Sequence, residues 1–333
     1  MVHLRIVAPL DRAQRVVDLL CHFESVQNVI HLPRAAQKPE GDVILCDVAR
    51  EDASVILSDL RDMDIPEDGS IAVELIDTAI SRAAQEAEKA AAGLPSDAVI
   101  WEELESRTSE NTDLSFSFVA FMALAMLIAS VGLLLDQPIL IVGAMVVGPE
   151  FGPLAGACVA IVERRRDLAR RSAVALVVGF GAGIAVTFVG AFVFRWTGLA
   201  PDGFTAGSQP LTGFVSQPDA FSLVVAVLAG VAGVLSLTSA KSGALIGVVI
   251  SVTTIPAAAN VAVAASYANT AELLGSLGQL LLNLTGIALA GVLTLSIQRR
   301  FYHSRRKKHL AELGREPDGG EAHDPTKGEP IAR

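Results

Sequence analysis

The sequence predicts a two-part protein. A small α+β domain of ferredoxin-like βαββαβ order occupies residues 1–77, and an all-α membrane domain of six spans occupies residues 115–297. Three observations carry this reading. Charge is partitioned along the 333 residues: residues 1–113 hold 10 Lys and Arg against 23 Asp and Glu, residues 114–297 hold 7 of each, and residues 298–333 hold 9 against 6. The middle segment is made of apolar blocks long enough to cross a hydrocarbon core of roughly 30 Å as helices. The first 77 residues alternate strand-like runs with amphipathic helical patterns.

In chain order, residues 3–8 (HLRIVA) read as a strand. Asp11 can cap a helix reaching Phe23, with Val16, Val17, Leu19 and Leu20 on one face. Residues 26–32 (VQNVIHL) form a second strand, residues 33–41 a turn, and residues 42–48 (DVILCDV) a third strand. Val55, Ile56 and Leu60 mark a second helix over residues 51–63, and residues 70–76 (SIAVELI) close the domain as a fourth strand. This order is the split βαβ arrangement. Residues 78–114 are a helical linker. Residues 78–92 favour helix, Gly93 and Pro95 break it, and Ser96 or Asp97 can cap a second helix through Ile100, Trp101 and Leu104. Trp101 suits either a membrane interface or a packed linker.

The six apolar blocks are residues 116–135, 139–162, 168–194, 221–237, 244–265 and 273–297. Backbone groups in lipid must be satisfied internally, so these are read as helices. Arg164, Arg165, Arg166, Arg170 and Arg171 follow the second block, Lys241 the fourth, and Arg299, Arg300, Arg305, Arg306, Lys307 and Lys308 the sixth, while residues 197–220 carry neither Lys nor Arg. With the N-terminus inside, every basic cluster falls on the cytoplasmic side of an inner membrane, and so does the C-terminus. The tail, residues 298–333, starts basic and continues polar, in a composition that favours disorder. The start, MVHLRIVAPLDR, has no basic stretch followed by an apolar one, so no signal peptide is expected.

Composition excludes several classes. Three cysteines make no disulfide framework, and no CxxC spacing suggests zinc; Cys21 and Cys46 sit in apolar runs and are expected in the core. His3, His22 and His31 are scattered and suggest no metal site. A net charge of -10 argues against nucleic acid. With no HExxH, no GxSxG and no histidine in any span, an intramembrane enzyme has little support and no catalytic residue is assigned. The sequence names no cofactor.

Two spans are interrupted. Gly148, Pro149, Gly152 and Pro153 lie near the middle of the second and Pro256 near the middle of the fifth. Aligning Pro153 with Pro256 superposes spans one to three on spans four to six at an offset of 103. Three crossings reverse direction, so the copies would be inverted, and paired broken helices in inverted repeats point to a binding site near the midplane. Two kinks in packed helices are the simpler alternative. Glu150 is the acidic residue deep inside an apolar block. A carboxylate facing lipid is costly, so it faces a cavity, a partner or the interface. Gly148 and Gly152 permit close approach. Thr253, Thr254 and Asn260 from the matching break, with freed carbonyls, are candidates to bind a cation or polar solute. Glu150 is also a candidate proton carrier, or a structural group paired with a helix end or Lys241. Gln279 and Asn283 share a face of the sixth span and either line the same interior or bond between helices.

The stretch DQPILIVGAMVVGPEFGPLAG resembles the signature of bacterial membrane proteins of the domain-of-unknown-function family 389. SGALIGVVISVTTIPAAANVAVA resembles that family's second motif, and ENTDLSFSF its linker. The similarity covers residues 97–297. Glu150 stands where many members carry an apolar residue, and Ala257 where they carry a second proline. The resemblance implies a cytoplasmic N-terminal domain and a multi-span membrane domain, and no substrate.

Two functions are therefore expected to compete. One is a transporter or channel-like protein for an unidentified small polar solute or ion, with a regulatory or oligomerising N-terminal domain. The other is a membrane sensor or scaffold whose N-terminal domain binds a small ligand or partner. The lipid bilayer is a partner in both, and Gly- and Ala-rich spans suit a homo-oligomer.

Overall fold

The computed structural model describes residues 1–76, 81–91, 99–110, 112–204, 209–238 and 254–312, of which residues 303–312 are described by their backbone alone. At the N-terminus, β1 (Val2–Ala8), β2 (Val26–Gln37), β3 (Glu40–Val48) and β4 (Ser70–Leu75) form one sheet in the order β2-β3-β1-β4. All neighbouring strands are antiparallel. Period-two alternation sets the two faces: Val2, Leu4, Ile6 and Ala8 are fully buried, whereas Arg5 on the opposite face is exposed. α1 (Ala13–His22) and α2 (Arg50–Asp62) bring Val16, Leu20, Ile56 and Leu60 onto Ile44 and Cys46 to make the core. Burial pushes the Cys46 thiol up to about 12, so it is inert. A one-turn α3 (Ile65–Asp68) precedes β4.

Three details differ from the sequence reading. β2 does not stop at Leu32 but runs through Pro33 to Gln37. It is an edge strand with a register shift between Leu32 and Ala36, where a residue without an N–H is tolerated. Asp11 does not cap α1; Arg12 holds that position without a side-chain bond. Cys21 is exposed, because the buried stripe of α1 is Ala13, Val16, Leu19 and Leu20 and position 21 lies off it.

In the linker, α4 (Arg82–Ala90) is shorter than the helix expected over residues 78–92, and the Ser81 hydroxyl caps it by accepting from the Ala84 N–H at 2.9 Å. The cap expected at Ser96 or Asp97 lies outside the described residues. α5 (Trp101–Glu110) is tied to the sheet domain. Ser54 of α2 accepts from the Trp101 N–H at 3.1 Å and donates to the Val99 carbonyl at 3.3 Å, and Ile100 enters the domain core. Trp101 is buried, so the interface position that its residue type suits is not the one it takes.

The apolar segment is helical. Among the described residues four helices are long and apolar enough to span: α6 (Phe116–Leu134), α9 (Arg166–Trp196), α10 (Ala220–Thr238) and the stretch Thr270–Tyr302 of α12 (Thr270–Glu312). α7 (Pro138–Val147) and α8 (Phe151–Val162) replace the second expected span by a pair bent by 55°. Of the fifth expected span only its C-terminal half is described, as α11 (Ile255–Ser266); residues 239–253 lie outside the described residues. Twelve residues rise about 18 Å, too short to cross alone. α11 packs on α6, α7 and α9, and its alanines are buried almost throughout, as a helix apolar on all sides should be. Within the C-terminal unit, residues 296–312 continue the last helix without a break; the tail read as disordered falls mostly outside the described residues.

The Gly- and Pro-rich loop expected outside the membrane is anchored. Asp136 accepts from the Thr212 N–H (2.9 Å) and hydroxyl (2.8 Å), and Gln209 donates to the Leu133 carbonyl at 2.8 Å. Tyr267 donates to the Pro201 carbonyl at 2.6 Å and stacks on Phe204.

The sheet domain carries a pH-sensitive tie. The Arg34 N–H and the His31 side chain reach Asp42 at 2.8 and 2.7 Å and hold its carboxyl below the usual range. Because the native pKa is depressed, this contribution is present above the unfolded value of about 3.9 and is lost as pH falls through the lower native one. Asp42→Asn should therefore lower the denaturation midpoint of the N-terminal domain at neutral pH, with the gap to wild type closing below about pH 4. Circular dichroism unfolding at a series of pH values measures both.

Candidate functional site

The break between α7 and α8 and the start of α11 meet in the interior. Gly148, Pro149 and Glu150 turn the chain from α7 into α8. Pro149 brings no N–H to the break, and Pro153 lies in the first turn of α8, where a missing donor costs little. Glu150 is the N-cap, and its carbonyl accepts from the Leu154 N–H at 3.2 Å. Its side chain reaches across to the other break instead of capping its own helix. Thr254 is the N-cap of α11, with Pro256 in the first turn. The Thr254 hydroxyl donates to Glu150 Oε1 at 2.7 Å. Glu150 is 1% exposed and Thr254 0%. The starts of two half-helices are thus joined side chain to side chain, and the positive ends of both dipoles favour negative charge there.

Gly148 makes the junction possible. A Cβ at that position would lie 2.4 Å from Glu150 Oε2 and 2.8 Å from Ile255 Cγ1. Glu150 Oε2 itself is buried with no hydrogen-bond donor among the described residues. A buried carboxylate oxygen without a donor is costly, so this atom is the natural place for a proton, an ion or a water.

The other candidates sort by distance. Gly152 lies in the first turn of α8, where its N–H donates to the Pro149 carbonyl at 3.3 Å. Asn260 is six residues beyond Thr254, about 9 Å along the axis, and does not join the Glu150 pair. Its amide donates to Ser276 Oγ at 2.7 Å. Gln279 donates to Asn283 Oδ1 at 3.4 Å on the same helix as Ser276. The structure therefore holds two polar groups where the sequence reading had one: Glu150 with Thr254, and Asn260 with Ser276, Gln279 and Asn283. Thr253 and Lys241 lie outside the described residues.

Sequence reasoning missed three participants. Ile255 packs on Gly148, and no motif marks it. Ser276 is one of several serines in apolar helices. The third is the seat of α5 on α8: a Cβ at Gly156 would lie 2.4 Å from Thr112 Oγ1 and 2.9 Å from Ser172 Oγ. Glu105 of α5 pairs with Arg165 just past the end of α8. The helix that begins at Glu150 is thereby clamped to the linker of the N-terminal domain. No cluster of three or more His, Cys, Asp or Glu that could hold a metal occurs among the described residues.

Residues 145–289 match the family model described as Domain of unknown function (DUF389), a stretch that includes both Glu150 and Thr254. No curated protein and no solved structure matches the chain.

The close approach at Gly148 predicts a graded response. Gly148→Ala should destabilise the folded membrane domain by about 1–3 kcal/mol through overpacking. Thr254→Val, which leaves both Glu150 oxygens without a donor, should cost a similar about 1–3 kcal/mol. Thermal unfolding in detergent checks both, and Thr254→Ser should restore most of the loss.

Proposed function

We propose that this chain, whose DUF389 domain contains both helix breaks, is a transporter or channel-like protein for a small polar solute or ion. In this reading it is built from two inverted three-span repeats, lies in a cytoplasmic membrane with both termini inside, and uses its N-terminal domain for regulation or assembly.

The observation that carries the proposal is a register of 104 residues, the separation of Glu150 and Thr254. α6 and α10 are each 19 residues long, and their bounds differ by that register at both ends; so do those of the 12-residue α8 and α11. α9 and α12 start at Arg166 and Thr270. The left-handed corners before them, Arg164 and Ala268, have φ of 56° and 53°. The caps correspond too: Ser115 accepts from the Phe118 N–H at 3.1 Å and Asp219 from the Ser222 N–H at 2.7 Å. Close contacts repeat in the same register, Gly183 on Met126 and Gly230 on Ile287. The offset is thus one more than the proline alignment suggests. Glu150 and Thr254 are then equivalent positions, bonded across the pseudo-symmetry axis. Half-helices meeting at such an axis are where transporters of this architecture place their solutes. Arg164, Arg165, Arg166 and Arg170 are all exposed, as the cytoplasmic side of the proposed topology requires.

The tight packing around Gly148 and the clamp of α5 on α8 favour one other reading, a sensor or scaffold that moves no solute and whose N-terminal domain binds a ligand or partner. The two separate in proteoliposomes. Transport predicts that Glu150→Gln changes the flux of an ion and small-solute panel by about ten-fold or more, a barrier change of about 1.4 kcal/mol, with assembly unchanged by size-exclusion chromatography. Wild-type flux no greater than in empty liposomes supports the scaffold, and an unaltered flux in Glu150→Gln removes this residue from the mechanism.

A further inference from the structure

Accepting the repeat register of the proposed function, the second polar group has an internal control. Asn260, Ser276, Gln279 and Asn283 correspond to Gly156, Ser172, Ala175 and Gly179 of the first repeat. Contact between the first two positions is kept in both copies: Gly156 sits against Ser172, and Asn260 bonds Ser276 at 2.7 Å. In the first repeat Thr112 and Phe118 fill the space beside Gly156 and Gly179, whereas in the second repeat three carboxamides, Asn260, Gln279 and Asn283, stand at the corresponding places.

All four residues are buried, between 0% and 4% exposed. Asn260 Oδ1 and Gln279 Oε1 are buried with no donor among the described residues. The Ser276 hydroxyl donates to the Glu272 carbonyl at 2.8 Å, and Asn260 turns its NH₂ to Ser276 Oγ, which leaves its oxygen without a donor among the described residues. Ser276 and Gln279 are three apart on α12, within one turn. Among the described residues, Asn260 Oδ1 and Gln279 Oε1 are thus two buried oxygens without a donor, on helices joined by the Asn260–Ser276 bond, and Asn260 lies six residues along α11 from Thr254. Oxygen ligands suit hard cations. The absence of a carboxylate among these four residues disfavours a divalent ion, whose sites are built on carboxylates. Carbonyl oxygens replacing a hydration shell suit a monovalent one.

We infer that Asn260 and Gln279, buttressed by Ser276 and Asn283, form a binding station for a dehydrated monovalent cation, separate from the Glu150–Thr254 junction. It names an ion for the proposed transporter, and its test does not require flux. Equilibrium binding of ²²Na⁺ and ⁸⁶Rb⁺ to the purified full-length protein is measured beside the doubly substituted Asn260→Gly, Gln279→Ala chain, which carries the first repeat's residues at both positions. Circular dichroism and monodispersity establish that it folds, and the single Gln279→Ala chain stands in where they fail.

Saturable wild-type binding of one of the two ions, weakened about ten-fold or more by the substitutions, supports the station. Absence of binding in the wild type means that water satisfies these oxygens, and it overturns the inference. So does binding that the substitutions leave unchanged. Flux that persists in the absence of ion binding would overturn the station and leave the transport reading standing; ion binding without flux would do the reverse.

Discussion

The apolar helical region depends on how it resolves two helix starts in its interior. A helix that starts inside a bundle presents backbone N–H groups without partners. Here the two starts are brought together, and the Glu150 side chain joins the positive ends of α8 and α11, which favour negative charge. The bond from Thr254 then fixes one break against the other. Several features follow from this junction. Gly148 must lack a side chain, because the carboxylate and Ile255 occupy that space. α11 is built largely from small apolar residues, with Asn260 buried among them, because it begins in the middle of the bundle and packs on α6, α7 and α9.

The junction is connected to the N-terminal domain by a continuous set of contacts. Ser54 holds the backbone on either side of Ile100, and Ile100 is part of the sheet domain's core. α5 continues from there onto α8, with Glu105 at its far end and Thr112 lodged against Gly156. α8 begins at Glu150. A change in the N-terminal domain thus has a direct physical route to the helix whose start carries the buried carboxylate, which neither an independent anchor nor a free tether would provide.

Much of this was legible in the sequence, for identifiable reasons. The strands of the sheet domain follow from period-two alternation, and β1 obeys it at every residue. The long apolar helices follow from length and apolarity, and the break between α7 and α8 from prolines inside an apolar run. Glu150 was legible because a lone carboxylate in an apolar block has few explanations. What was not legible lies in contacts that no periodicity encodes. The extension of β2 past Pro33 depends on its being an edge strand, a fact of sheet order. Trp101 went to the sheet domain because Ser54, far away in sequence, captures its backbone. The spacing of 104 residues was not legible because the prolines Pro153 and Pro256 are spaced one residue less, whereas helix ends and left-handed corners recur at 104. Asn260 and Glu150 looked like one site because both flank a break, and only the axial distance along α11 separates them.

The central claim, that the Glu150–Thr254 junction is a site reached from water in the course of function, is tested most directly by accessibility. A single cysteine at Thr254→Cys, in a chain whose Cys21, Cys46 and Cys158 have been replaced by alanine, can be challenged with a small membrane-impermeant thiol reagent in sealed vesicles of either orientation. The account predicts reaction in at least one orientation, slowed when Glu150 is also replaced by a bulky apolar residue. Protection from both sides in a folded, assembled protein would contradict it and leave a sealed interior around a structural carboxylate.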